Sequence, residues 1–89
     1  MTNGKVSVTA TSQTFGPAAT VIPKFIIINR GTTRVFINGD GEDAVDDEGF
    51  NLDPGETVTD DILMPVYRQG QLSAVCTAGE TGTLYFSFQ

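Results

Sequence analysis

The chain has 89 residues, of which 39% are hydrophobic and 18% are charged, and its formal net charge is −6. This length predicts one domain, and the apolar content argues against a disordered segment. The acidic balance argues against nucleic acids and anionic membranes as partners, because both attract basic surfaces.

The first residues predict a strand followed by an extended segment. Residues 5–11 alternate between polar and apolar side chains, with Val6 and Val8 on one face, as in a half-buried strand. Residues 12–20 contain a Gly-Pro step and small side chains, which predicts an arm with Phe15 as its anchor.

The central region contains two apolar runs separated by a polar turn. Pro23 precedes a continuous apolar run over residues 25–28, which predicts a strand covered on both faces. A fully packed sandwich strand is the favoured interpretation. In the alternative, one face meets the core and the other meets a partner or the N-terminal arm. The glycine-containing turn at 30–33 and the apolar run at 34–38 predict a β-hairpin with this strand.

The second half continues with short strands and tight turns. A short strand is expected at Ala44-Val45. In Asp53-Pro54-Gly55-Glu56, proline stands at the second position and glycine at the third, as a type II turn requires. Three further strands are predicted at residues 57–62, 72–77 and 83–88. Alternation in the last of them places Leu84, Phe86 and Phe88 on one face.

These elements predict an all-β fold: a single small antiparallel β-sandwich, or a Greek-key-like barrel, of about seven or eight short strands. Residues 1–20 are expected to form an N-terminal strand and an extended arm, which is a candidate docking segment. Residues 21–89 are expected to form the sandwich core. A chain of this size often gains stability from a partner or from oligomerisation.

The chemistry of catalysis is poorly represented in the sequence. There is no histidine, and Cys76 is the only cysteine, which excludes an internal disulfide and a cysteine-based zinc site. Cys76 lies in an apolar run, so we expect it to be buried and structural. A single cysteine also fits synthesis of the protein in a reducing cytosol. With no base to activate a nucleophile, we expect no enzymatic activity, no catalytic residues and no cofactor.

An acidic loop is the one local cluster of potential metal ligands. Calcium prefers oxygen ligands from such loops, but the spacing does not match an EF-hand, because Asp43 occupies the position that requires glycine. A solvated loop that discourages edge-to-edge association is the favoured interpretation. The candidate calcium ligands are Asp40, Glu42, Asp43, Asp46 and Asp47.

Targeting signals are absent from the sequence as it stands. The first residues contain no charged segment leading into an apolar stretch, so we expect no secretory signal peptide. No apolar run approaches the length that crosses a membrane. Tyr67 and Arg68 are of residue types common at interfaces and are candidates for contact with a partner. In the alternative, Tyr67 packs at the edge of the sandwich and Arg68 is solvated.

The chain resembles a group of small all-β proteins encoded in the structural regions of tailed bacteriophages, and the order of several sequence features carries the resemblance. A proline-containing lead-in with an apolar strand is followed by a glycine turn with a second strand, and then by a G-x-x-L-x-P-G-E turn. Val66-Tyr67 and a closing pair of strands follow. The matching segments are residues 22–29, 31–37, 49–56, 66–67, 73–75 and 82–86.

The resemblance implies a virion component without catalytic residues. The favoured role is a head decoration (cement) protein that binds the major capsid protein on the head surface, after synthesis in the bacterial host cytoplasm. By analogy, several copies would surround a local symmetry axis, with a trimer favoured. On this basis Phe15, Val21, Ile22, Tyr67 and Arg68 are the candidate partner contacts.

Two alternatives remain open from the sequence. The first is another virion role, in which the chain is a neck, tail or baseplate accessory protein. The second is a host-directed binding or inhibitor module, such as a carbohydrate binder or an acidic inhibitor of a nucleic-acid-binding protein. The absence of tryptophan and the presence of only two tyrosines count against carbohydrate binding.

Overall fold

A computed structural model describes residues 2–15, 24–38, 43–59 and 72–88 of the chain. These residues contain eight strands, and they contain no helix that is long and apolar enough to cross a membrane. The strands are β1 (Thr2–Val8), β2 (Gln13–Phe15), β3 (Phe25–Asn29), β4 (Val35–Asn38), β5 (Phe50–Leu52), β6 (Thr57–Thr59), β7 (Leu72–Val75) and β8 (Gly82–Phe88).

The strands form two antiparallel sheets of four strands each. Sheet I has the order β1-β8-β3-β6, and sheet II has the order β2-β7-β4-β5. Each odd-numbered strand is followed by a strand of the other sheet, which is the connectivity of an eight-stranded jelly roll. The prediction of a small antiparallel β-sandwich with seven or eight strands is confirmed.

Strand β8 organises sheet I, because it pairs with β1 on one side and with β3 on the other. Its alternation is the predicted one: Leu84 and Phe88 are buried, Phe86 is half-buried, and the intervening Tyr85 faces outward. On β1, Val8 is buried. The core therefore lies between the sheets and takes every second side chain from each of them.

Four phenylalanines pack together within this core and join the two sheets. Phe15 from β2 lies with its ring centroid 5.5 Å from that of Phe86 and 6.5 Å from that of Phe88. Phe25 from β3 stands 5.3 Å from Phe88. These are normal separations for tilted and edge-to-face aromatic pairs, which contribute stability beyond the area that they bury.

The predicted hairpin between residues 24–29 and 34–38 is wrong, although both strands form. Strand β3 lies in sheet I and β4 in sheet II, so the connection between them crosses from one sheet to the other. Asn29, with no exposed surface, fixes this crossing. Its side-chain Nδ2 donates to the carbonyl of Thr33 at 2.9 Å, and its Oδ1 accepts from the amide of Gly31 at 2.9 Å.

The turn at residues 53–56 forms a second crossing beside the first. Gly55 has φ +85°, as the predicted type II turn requires, and the amide of Glu56 donates to the carbonyl of Asp53 at 3.0 Å. Asn29 ties this crossing to the other one. Its Nδ2 also donates to the carbonyl of Leu52 at 2.8 Å, and its backbone carbonyl accepts from the amide of Gly55 at 2.8 Å.

Residues 2–15 belong to the sandwich and are not an arm that precedes it. Strand β1 pairs with β8 along its whole length, and β2 pairs with β7. The boundary predicted at residue 20 therefore does not divide this part of the chain from the core. Residues 16–20 lie outside the described residues.

Two shorter predictions differ from the structure in detail. Ala44 and Val45 do not form a strand: the Ala44 side chain is buried, while Val45 is 51% exposed. The amide of Ala44 donates to Oγ of Ser12 at 3.0 Å, which anchors the loop to the connection between β1 and β2. Strand β6 ends at Thr59, and the remainder of the predicted strand, residues 60–62, lies outside the described residues.

Candidate docking face

The outer face of sheet I differs from the other surfaces of the described residues in its exposed apolar side chains and its depression. Because side chains alternate along a strand, Ile26 and Ile28 of β3 point away from the core that Phe25 and Ile27 enter. Ile28 pairs with Tyr85 of β8, which in turn pairs with Lys5 of β1. These side chains therefore form a row across the sheet. We call the surface formed by Asn3, Lys5, Ile26, Ile28, Tyr85 and Ser87 the sheet I outer face.

This face carries exposed apolar side chains and a shallow depression. Ile26 is 40% exposed and Tyr85 is 44% exposed, and only one other large apolar side chain among the described residues is comparably exposed. The depression has a volume of about 510 Å³ and extends to Gly4 and Phe86. The expectation that β3 is packed on both faces is wrong for the described part of the protein. The alternative, a core face and a second face open to a partner, fits the exposure.

The charge of this face is opposite to that of the chain as a whole. None of the four strands of sheet I contains an aspartate or a glutamate. Three of the four described basic residues belong to β1 or flank β3: Lys5, Lys24 and Arg30. The fourth, Arg34, forms an ion pair with Asp53 at the crossing between β5 and β6, and this contact raises the pKa of the Arg34 guanidinium.

Arg30 extends the face beyond the end of β3. Its backbone amide donates to the carbonyl of Thr83 at 3.0 Å, and the carbon of its guanidinium lies 5.9 Å from the centre of the Tyr85 ring. This is the geometry of a cation–π contact. Arg30, Thr83 and Tyr85 line a second, more polar depression. Tyr85 lines both depressions, so the apolar and polar parts of the face are contiguous.

The acidic loop is only partly within the described residues. Asp43, Asp46 and Asp47 are exposed, and Oδ1 of Asp46 accepts a hydrogen bond from the Thr77 hydroxyl at 3.0 Å. Asp47 has φ +66°. The described residues contain no group of three potential ligands placed to hold a metal ion. Two of the five candidate calcium ligands, Asp40 and Glu42, lie outside the described residues.

Cys76 is buried, as predicted. Its thiol lies within hydrogen-bond distance of two backbone carbonyls, that of Val8 at 3.4 Å and that of Glu80 at 3.2 Å. Burial raises the pKa of this thiol, and the nearby carboxylates of Glu80 and Asp46 raise it further. A protonated, enclosed thiol is a poor nucleophile, which fits a structural role.

Of the candidate partner contacts from the sequence, only Phe15 lies within the described residues. Phe15 is 4% exposed within the core, so its side chain is not on the surface of the isolated domain. Val21, Ile22, Tyr67 and Arg68 lie outside the described residues. The residues that sequence reasoning missed are Lys5, Ile26, Ile28, Arg30 and Tyr85.

A signal for part of the missed set was present in the sequence. Lys24 and Arg30 bracket Ile26 and Ile28 at two-residue spacing, so all four fall on one side of an extended strand. Cations on the same side as two isoleucines indicate a surface that is not fully buried. Tyr85 gave no such signal, because only the register between β8 and β3 brings it to the same face.

Comparison of the chain with protein-family models, with curated proteins and with solved structures finds no match.

Proposed function

We propose that this chain is a non-enzymatic virion protein that decorates a bacteriophage head, and that it docks through the sheet I outer face. The exposure of Ile26 and Tyr85 on a sheet whose other side is tightly packed is the observation that carries the proposal. A contiguous apolar surface on a small folded domain is typical of a protein interaction site. The resemblance of the sequence to small virion proteins of tailed phages supports the choice of partner.

The fold suits a role in which a rigid domain holds neighbouring shell subunits together. A cement protein stabilises a shell by adding an interface at the junctions between shell subunits. A domain in which both sheets bury one side against the other resists deformation, because its interior is close-packed. The acidic side chains of the described residues lie outside the strands of sheet I, on loops and turns that stay available to solvent.

Several copies acting together fit the proposed role. By analogy with small virion proteins, copies surround a local symmetry axis, and a trimer is favoured. Copies held together in this way gain affinity for the shell by avidity.

The first test is the copy number of this chain in purified virions of its source phage, measured by quantitative mass spectrometry against the major shell subunit. A ratio of the same order as the shell subunit supports the decoration role. A ratio near that of a portal or tail-ring subunit moves the chain to the neck or tail. Absence from the virion overturns the proposal.

A second test examines the face itself with a matched pair of variants. Ile26→Asp places a carboxylate on the proposed surface, whereas Val45→Asp makes the same kind of change on an exposed loop residue. We expect Ile26→Asp to abolish binding to particles stripped of the protein and Val45→Asp to bind like the wild type. Urea unfolding of both variants checks that they fold. Equal binding by the two variants would exclude this face as the docking surface.

A further inference from the structure

We infer that the sheet I outer face binds an extended segment of a partner protein in which an apolar side chain is followed, two residues later, by a carboxylate. The apolar side chain fills the depression beside Ile28 and Tyr85, and the carboxylate reaches Arg30. This inference rests on the docking role proposed above and adds the chemistry of the partner.

Charge complementarity selects an acidic partner. The chain has a net charge of −6, yet the described part of sheet I presents Lys5, Lys24 and Arg30 and no carboxylate from its strands. A second copy of the same acidic chain would be repelled at long range. A partner segment with carboxylates beside an apolar group would be attracted to this face and repelled by the carboxylate-bearing loops elsewhere.

Ile28 borders the first depression and Arg30 borders the second. They are two positions apart in the sequence, which is about 7 Å along an extended strand. Side chains at positions i and i+2 of an extended segment also lie on one side at the same separation. A segment that runs along β3 in the same direction therefore places its apolar side chain over the first depression and its carboxylate, two residues later, over the second.

Arg30 is held ready for such a carboxylate. The Tyr85 ring lies under its guanidinium and the Thr83 carbonyl fixes its backbone amide. The one ion pair within the described residues joins Arg34 to Asp53, so no described carboxylate occupies the Arg30 guanidinium. A guanidinium that is already positioned loses less side-chain entropy when it pairs with a carboxylate.

The test is an NMR titration of the ¹⁵N-labelled full chain with short capped peptides of glycine and serine. One peptide carries leucine and, two residues later, glutamate; a second has glutamine in place of the glutamate, and a third has alanine in place of the leucine. We expect the first peptide to shift amide signals of residues 26–30 and 83–87. Its affinity should be about threefold to fivefold higher than that of the glutamine peptide.

Two variants locate the effect. Arg30→Gln should remove the preference for glutamate over glutamine, whereas Arg34→Gln, which changes an arginine away from the face, should keep it. Three outcomes would overturn the inference. The saturable shifts could be the same for all three peptides, they could be confined to other strands, or there could be no saturable shift at millimolar peptide. Concentration-dependent shifts of the same face without any peptide would assign it to a second copy and would also overturn it.

The peptide and particle experiments fail in different ways. If Ile26→Asp abolishes particle binding while the peptides show no dependence on glutamate, the docking role stands and the acidic-segment chemistry is wrong. If the peptides bind as expected but virions lack the chain, the face binds acidic segments and the virion role is wrong.

Discussion

Replacing Asn29 with alanine should destabilise the domain more than any other single loss of a polar side chain among the described residues. The Asn29 side chain is fully buried and makes three hydrogen bonds to backbone groups of two separate crossings between the sheets. Alanine leaves the amide of Gly31 and the carbonyls of Thr33 and Leu52 without these partners. At about 1–1.5 kcal/mol for each of the three lost bonds, the free energy of unfolding should fall by about 3–4.5 kcal/mol.

Urea unfolding measures this loss directly, and Asn51 provides the control. Asn51 lies on β5 with its side chain exposed, so Asn51→Ala makes the same chemical change without uncovering a buried partner. We expect that control to change stability by less than about 0.5 kcal/mol. A loss below about 1 kcal/mol for Asn29→Ala, with an unchanged dependence on urea, would refute the view that Asn29 joins the two crossings.

Asn29→Asp adds a pH dependence with a defined sign. The aspartate would place an oxygen against the carbonyls of Thr33 and Leu52, and burial would raise its pKa above the value of about 3.9 in the unfolded chain. The folded variant then binds more protons than the unfolded variant. Its stability relative to wild type should therefore be greatest below about pH 4 and should decline as the pH rises through the folded-state pKa. A stability difference that does not change with pH contradicts this reasoning.

Substitutions at two glycines and one thiol reaction test the crossings between the sheets and the core. Gly31→Ala should cost about 1–3 kcal/mol in urea unfolding, because a Cβ there would lie 2.9 Å from the backbone nitrogen of Thr83; a neutral result would contradict that close approach. Gly79→Ala should cost about 1 kcal/mol, because Gly79 has φ +88° with open space around it, and Gly79→Asn should recover part of the loss. The thiol of Cys76 should react with an aromatic disulfide at least about tenfold more slowly in the native protein than in urea. Equal rates would show that it is accessible.

The strands and the core could be predicted from the sequence, because both follow from the local alternation of polar and apolar residues. Val8, Leu84 and Phe88 are buried as their spacing predicts. The positive φ of Gly55 follows from the geometry of a turn with proline before glycine. Such features depend only on neighbours within a few residues, so a single sequence contains the information.

The pairing of the strands could not be predicted from the sequence, because it depends on contacts between residues that are distant in the chain. A five-residue connection with a glycine can close a hairpin or cross between two sheets. What decides between them here is the packing of Gly31 against Gly82 and Thr83, and the bond from Asn29 to Leu52. The candidate site shares this dependence, since Tyr85 reaches Ile28 only through the register of β8 with β3.

The position of the last strand within sheet I constrains when the protein can fold. Strand β8 lies between β1 and β3, and β7 lies between β2 and β4, so both sheets lack a central strand until residues 72–88 have been made. Before residue 72 is synthesised, the only described strand pairs available are β3 with β6 and β4 with β5. Neither is a stable sheet by itself. Folding of these two sheets therefore requires that residues 72–88 have left the ribosome, and the closure of pairs such as Thr2 with Phe88 makes it slow compared with a helical domain of this size.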